Sequence, residues 1–249
     1  MTHQPLIKAP TMDHTPSPKQ ERYIENLFSS IANRYDLINS VLSLGRHKAW
    51  RRYAVSLTGL KPGDSALDVC CGTGDFALEL ARAVGSTGTV KAVDFSGPML
   101  QVARRKAVRT GFPQIEFVKA DALNLPFGDN LFHCATVGFG LRNISNLDQA
   151  ISEIARVVKP NGKVISLEIF GIRSRWLVPF WRLYFNVLGP GIARLLQGDR
   201  DAYHYLPRSV DCFATPQQLA KRFEAAGLDD VRWHSLALGA VCVHVGNKK

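Results

Sequence analysis

"LDVCCGTGDFALEL", Leu67 to Leu80, decides the fold, because in it a strand runs into a helix across a turn built on two glycines. "SALDVCC" is a short apolar run of strand length, and "GDFALELARAV" carries helical periodicity. Gly72 and Gly74 permit a tight turn and close backbone approach, and the helix that follows offers its positive end to a ligand. Taken literally, "GTGDFA" also meets the G-x-G-x-x-A dinucleotide fingerprint, and a single match of that form leaves the cofactor open.

Outward from this unit the same alternation repeats. "TVKAVDF", "QIEFVKAD", "LFHCATVGF" and "GKVISLEIF" read as strands, and "GPMLQVARRKAVRTG" and "LDQAISEIARVV" as helices, the second ended by Pro160. Strands separated by helices imply βαβ units, right-handed crossovers and a parallel sheet. "TPQQLAKRFEAAG" is a helix capped by Thr215 with Pro216 at its first position, and "DDVRWHSLALGAVCVHVG" is two strands joined by a short turn. The expected fold is α/β: a mostly parallel seven-stranded sheet with helices on both faces and an antiparallel C-terminal hairpin.

Before the first strand, "ERYIENLFSSIANRYDLINSVLS" from Glu21 to Ser43 places Ile24, Leu27, Phe28, Ile31, Tyr35 and Ile38 on one apolar helical face. A further helix is expected from His47 to Leu57. Residues 21–60 therefore read as a helical lid on a single domain spanning 21–249, and residues 1–20, with four prolines, as a disordered lead-in without the apolar core of a secretory signal. Five cysteines, an odd number with Cys70 and Cys71 adjacent, make a poor disulfide framework and match no zinc spacing, so reduced thiols, a cytoplasmic location and no metal are expected. The formal net charge of +10 favours acidic partners, although "RHKAWRR" and "RRKAVR" also read as solvated helix faces.

Electrostatics discriminate between cofactors. A pyrophosphate at the helix start would lie close to Asp68 and Asp75, whose carboxylates repel it. S-adenosylmethionine has no phosphate, and its ammonium and sulfonium are cations, so acids around a glycine turn suit it. Asp94, ending "KAVDFS", is placed to accept hydrogen bonds from two ribose hydroxyls. Asp121, with the backbone of Ala122, follows the third strand and meets an adenine edge. Acids and glycines ending three successive parallel strands form one crevice, where open α/β sheets bind ligands. A nicotinamide-dependent oxidoreductase rests on "GTGDFA" alone. An RNA methyltransferase rests on charge alone, without a recognised RNA-binding motif, so no nucleic-acid partner is expected.

The stretches "FSSIANRYDLINSVLSLGRHKAWR", "LDVCCGTGDFA", "VDFSGPML", "DALNLPF", "FGLRN", "RVVKPNGKVISLE" and "AYHYLPRSV" together carry a resemblance. Over nearly everything after Gln20 the chain resembles the Rossmann-like class I S-adenosylmethionine-dependent methyltransferases and, within them, the ubiquinone/menaquinone biosynthesis C-methyltransferases. The resemblance implies S-adenosyl-L-methionine as cofactor and methyl transfer to a ring carbon of a prenylated quinol, a naphthoquinol in preference to a benzoquinol. It implies that Thr73, Asp94, Asp121 and Ala122 contact the cofactor, beside Asp68, Gly72 and Gly74 of the loop. Gly138 stands where some relatives carry a cofactor-contacting Ser.

Such a ring carbon is nucleophilic only when an adjacent hydroxyl has lost its proton, and with a phenol pKa of about 10 roughly a thousandth is ionised at neutral pH. A guanidinium facing the oxygen would favour the anion. In "VGFGLRNISN" that role falls to Arg142, with Asn143 as a second donor and Gly138 and Gly140 letting the backbone approach donor and ring. The alternative is that Arg142 pairs with a core acid such as Asp68 or caps a helix. Tyr35, in "NRYDLIN", orients the quinol or relays its proton, or is part of the lid's apolar stripe; Asp36 and His47 are further base candidates. Residues 172–210 form a hydrophobic insertion. Within it residues 176–196 are too interrupted by Arg182, Arg194 and two prolines to span a membrane, but suit an interfacial helix or a route for a prenyl tail. Transient contact with the inner face of a membrane is the corresponding expectation, with an ordinary cover over the sheet as its alternative, and a homodimer is left open.

Overall fold

The computed structural model of the protein describes residues 18–172, 176, 178, 179 and 209–249. Most of the expected insertion over 172–210, and the lead-in before Pro18, lie outside the described residues. Seven strands among them form one sheet: β1 (Ser65–Val69), β2 (Thr89–Asp94), β3 (Glu116–Lys119), β4 (Phe132–Gly138), β5 (Val158–Ile169), β6 (Leu228–Leu236) and β7 (Val241–Lys248). Their order is β3-β2-β1-β4-β5-β7-β6. β1 pairs in parallel with both β2 and β4, and β4 with β5. β1 and β4 are buried on both faces, which is why they read as continuous apolar runs with no alternation. The order reverses between β1 and β4, and there the loops after the two strands diverge and open a crevice.

The C-terminal hairpin is present with a refinement. β7 runs antiparallel to both β5 and β6 and lies between them, leaving β6 at the edge. Helices α3 (Arg46–Ser56), α4 (Asp75–Val84) and α5 (Gly97–Arg109) cover one face, through a core that includes Ala54, Phe76, Leu80 and Leu100. Helices α6 (Leu147–Val157) and α7 (Pro216–Ala225) cover the other, through Ile151, Ile154, Leu219 and Phe223. Local signals start these helices. Ser96 and Asn146 accept backbone N–H groups at the starts of α5 and α6, and Thr215 with Gln218 forms a capping box ahead of Pro216. Pro160 does not end α6, which stops at Val157; it lies near the start of β5, where a missing N–H costs little.

The lid departs from the expected continuous helix. It is two helices, α1 (Pro18–Ile31) and α2 (Tyr35–Leu42), with a turn over Ala32–Arg34. α1 also begins three residues ahead of Glu21. The turn folds Ile38 back onto Leu27, with Ile31 and Leu42 packed against them. Apolar periodicity is the same for a straight helix and for a helical hairpin, so the sequence pattern does not separate them. This small cluster is distinct from the two cores of the sheet, and α2 is only eight residues long, so its stability comes from packing. Ile38→Ala removes a buried side chain worth about 2–5 kcal/mol. Hydrogen exchange should show α1 and α2 amides losing protection while β1 amides keep theirs; equal loss in both would mean that the lid and the sheet unfold as one unit.

Candidate active site

A cavity of about 440 Å³ opens at the C-terminal ends of β1 to β4. The loop after β1 supplies Cys70 and Gly72, the end of β2 supplies Asp94, and the loop after β3 supplies Asp121 and Ala122. The segment after β4 supplies Gly138, Phe139, Gly140 and Asn143, and the lid roofs the space with Ile24, Glu25, Phe28 and Tyr35. Two non-glycine residues of these loops, Cys70 (φ 54°) and Phe139 (φ 59°), adopt left-handed backbone, a local strain typical of functional loops.

Asp94 is 6% exposed, and backbone N–H groups hold both its oxygens: Gly72 donates to Oδ2 at 2.8 Å and Ser96 to Oδ1 at 2.9 Å. Burial pushes its carboxyl up to about 6, against the opposing pull of those hydrogen bonds. Asp121 Oδ1 accepts from the Leu123 N–H at 2.9 Å, which shapes its loop into an Asx-type turn.

Glu25, Asp94 and Asp121 give the cavity three carboxylates, while no described Lys, Arg or His lines it, in a chain of net charge +10. An acidic wall inside a basic protein selects cations and repels phosphates. The acids differ from those expected to do this. Asp75 is ion-paired to Arg51 (3.1 Å) and Lys106 (2.7 Å); burial raises its pKa, but those two cations outweigh burial and hold it below the usual range. Asp68 is fully buried in β1, accepts from Thr136 Oγ1 at 2.9 Å and does not line the cavity. Glu25 escaped the sequence reading, because its place in the site depends on how α1 crosses the sheet. Its spacing from Phe28, one helical turn on, is the only local signal.

Of the expected site residues, the fold gathers Tyr35, Gly72, Asp94, Asp121, Ala122 and Asn143 on the cavity wall. Arg142 is not among the lining residues. Its guanidinium pairs with Glu168 of β5 at 2.9 Å, both side chains being nearly inaccessible, so the core-acid alternative describes it, with Glu168 in place of Asp68. Glu168 also accepts the Leu141 N–H at 2.7 Å and so anchors the single turn Leu141–Asn143. The local signal was an acid inside "VISLEI", a segment otherwise suited to burial. Thr73 is 2% exposed and donates its hydroxyl to Asp36 Oδ1 at 2.5 Å, which ties the glycine loop to the lid. The glycines of "VGFG" make close approaches to protein. A Cβ at Gly138 would lie 2.7 Å from the Phe76 ring, and one at Gly140 2.6 Å from Cys70 Cβ. Gly74 (φ 82°) likewise packs against Ala103 and Phe117 outside the cavity. His47 is buried against Ser43, and burial, with Arg51 nearby, lowers its pKa to about 4.

Comparison with known proteins agrees with this geometry. The model of the ubiE/COQ5 methyltransferase family matches residues 17–248. The chain belongs to the ubiE/COQ5 methyltransferase family. A demethylmenaquinone methyltransferase of Bacillus cytotoxicus is 40% identical over 235 residues, covering 92% of this chain and 97% of that protein, and one of Bacillus cereus is equally similar. A solved S-adenosylmethionine-dependent methyltransferase from Aquifex aeolicus shares the fold, with a TM-score of 0.61 at 20% identity over 85% of this chain and 96% of that one. As a ubiE/COQ5 methyltransferase the protein uses S-adenosylmethionine, and the residues present fit it: the lining acids suit a sulfonium and an ammonium, and no lining cation stands ready for a phosphate.

Asp68 gives the site a pH signature. Burial raises its carboxyl from the ordinary 3.8 to about 7. The folded state therefore holds a proton that the unfolded state has released between those values, and stability falls as pH rises through that window. Asp68→Asn removes the titration. Its melting temperature relative to the parent should rise between pH 5 and pH 8 in thermal denaturation, and a pH-independent difference would mean that Asp68 titrates normally.

Proposed function

We propose that this methyltransferase methylates a ring carbon of a prenylated naphthoquinol, converting demethylmenaquinol to menaquinol. The observation that carries the reading is the 40% identity to demethylmenaquinone methyltransferases along nearly their whole length. The cavity supports it, since Ile24, Phe28, Phe139 and Ile144 add apolar and aromatic wall suited to a flat ring beside the acidic pocket.

Asp94 holds the ribose hydroxyls of the cofactor, while Asp121 and the Ala122 backbone meet its adenine. Gly72 lets the loop approach. Bound S-adenosylmethionine supplies an electrophilic methyl group on a sulfonium. The chain's own task is to hold the acceptor with its reactive oxygen ionised and water excluded. Asn143 and Tyr35, both on the wall, provide an amide and a phenol for that oxygen. Arg142 acts at one remove: with Glu168 it fixes the turn that carries Asn143.

Among the described residues no helix is long and apolar enough to cross a membrane. The substrate's prenyl tail nevertheless resides in lipid, and the reading includes transient contact with the cytoplasmic face of a membrane. Leu37 on α2 and Leu44 in the turn after it are 51% and 80% exposed, and Arg34 ahead of α2 is exposed as well. Exposed Arg46, Lys48 and Arg52 come next on α3, a combination suited to anionic headgroups.

Incubation with tritiated S-adenosylmethionine under reducing conditions should label demethylmenaquinol faster than the benzoquinol precursor of ubiquinone. Faster labelling of the benzoquinol, or of neither, overturns the assignment. The protein should sediment with vesicles containing anionic lipid and be released by salt; failure to sediment with them removes the membrane contact, and equal recovery with zwitterionic vesicles removes the role of the basic residues.

A further inference from the structure

Thr73 stands in the middle of the glycine loop, yet its single hydroxyl proton goes to Asp36 on the lid. Asp36 Oδ2 is ion-paired with Lys106 Nζ. Lys106 is also bonded to Asp75 Oδ1 at 2.7 Å, and Asp75 Oδ2 lies 3.1 Å from Arg51. A line of alternating charges thus runs from α3 through the start of α4 and the last turn of α5 to the start of α2. Two carboxylates and two cations balance, and the Lys106 and Arg51 side chains, 10% and 7% exposed, are shielded from salt.

Tyr35, the residue before Asp36, meets the same loop by packing: a Cβ on Gly72 would lie 3.9 Å from its ring. Its ring also sits edge-on to Phe28, with centroids 6.2 Å apart. Adjacent residues of α2 therefore face adjacent residues of the glycine loop, one joined by a hydrogen bond and the other with its ring a methyl group's distance from the glycine. α2 relies on tertiary contacts. It is eight residues long, and its N-cap, Arg34, makes no capping bond from its side chain.

We propose that Asp36 is a positioning residue that couples the glycine loop to Tyr35, so that loading the methyl donor fixes the wall against which the acceptor ring packs. The placement of the acceptor beside Tyr35 rests on the quinol reading above; the coupling between loop and lid does not. The consequence is ordered addition, with the donor entering first. Asp36 needs no contact with either substrate for this. Its carboxylate turns a change in the loop's order into a change in the helix's order.

Hydrogen exchange with and without S-adenosylmethionine tests the coupling directly. In the parent protein the donor should slow exchange of the Tyr35–Leu42 amides by about tenfold or more, the factor that one hydrogen bond to a charged group carries. Thr73→Val and Asp36→Asn should abolish that slowing. Calorimetric affinity for S-adenosylmethionine should fall in Thr73→Val by no more than the factor of slowing lost, because the coupling is reciprocal, while KM for the quinol rises and kcat holds. Slowing that persists in Thr73→Val overturns the proposal, as does a loss of donor affinity well beyond the factor of slowing lost, the mark of direct cofactor contact by Thr73. If Asp36→Asn fails to fold, the near-isosteric Thr73→Val decides alone. Absence of quinol turnover by the parent protein counts against the quinol reading, and the exchange measurement still decides the coupling.

Discussion

Two backbone N–H groups on one buried carboxylate organise the cavity. Gly72 belongs to the loop after β1 and Ser96 to the cap of α5, and both converge on Asp94 at the end of β2. An acid nearly closed off from water would ordinarily protonate or find a cation. Here amide dipoles take the place of a cation, and the pocket remains available to a positively charged ligand. Ser96 extends the arrangement: its hydroxyl caps α5 and lies 3.0 Å from Ser29 on α1, so the groups that hold the acid also reach the lid. A Lys or Arg in the same place would have stabilised Asp94 at least as well and left the cavity unsuited to a sulfonium.

The separation of charge follows from where neutralisation occurs. Acids next to the glycine loop fall into two classes: Asp75 and Asp36 carry cations, whereas Glu25, Asp94 and Asp121 line the cavity. Lys119 approaches Glu25 only from the outside, at 3.6 Å with both side chains well exposed, an arrangement water screens effectively. The basic excess of the chain is therefore no guide to its binding site. The pocket's sign is set by three side chains whose positions depend on tertiary structure.

Much of the fold was legible because parallel strands and amphipathic helices write their periods directly into the chain. Thr215 marked a helix start, and it accepts the expected backbone N–H group, that of Gln218. The acids ending β2 and β3 were found because strand ends in an open α/β sheet face one crevice. The misses share a cause. Thr73 finds Asp36, Arg142 finds Glu168, and Gly140 approaches Cys70 across long stretches of sequence, and local pattern is silent about partners brought together by topology. The lid turn was hidden for another reason, since a helical hairpin preserves the apolar period of the helix it interrupts.

The interleaved end of the sheet bears on how the chain is made. β6 emerges from the ribosome before β7, yet its seat in the sheet lies beyond β7, and β5 also lacks its outer neighbour until β7 arrives. Throughout that interval two strand edges stand open, and pairing β6 directly with β5 would trap the nascent chain in a wrong order. In the finished sheet β6 keeps one edge unpaired, and the bulge between Asp229 and Arg232, with Asp230 in left-handed backbone, breaks the regular ladder that pairing with another chain needs. A feature that looks like an irregularity in the finished sheet thus guards its outer edge.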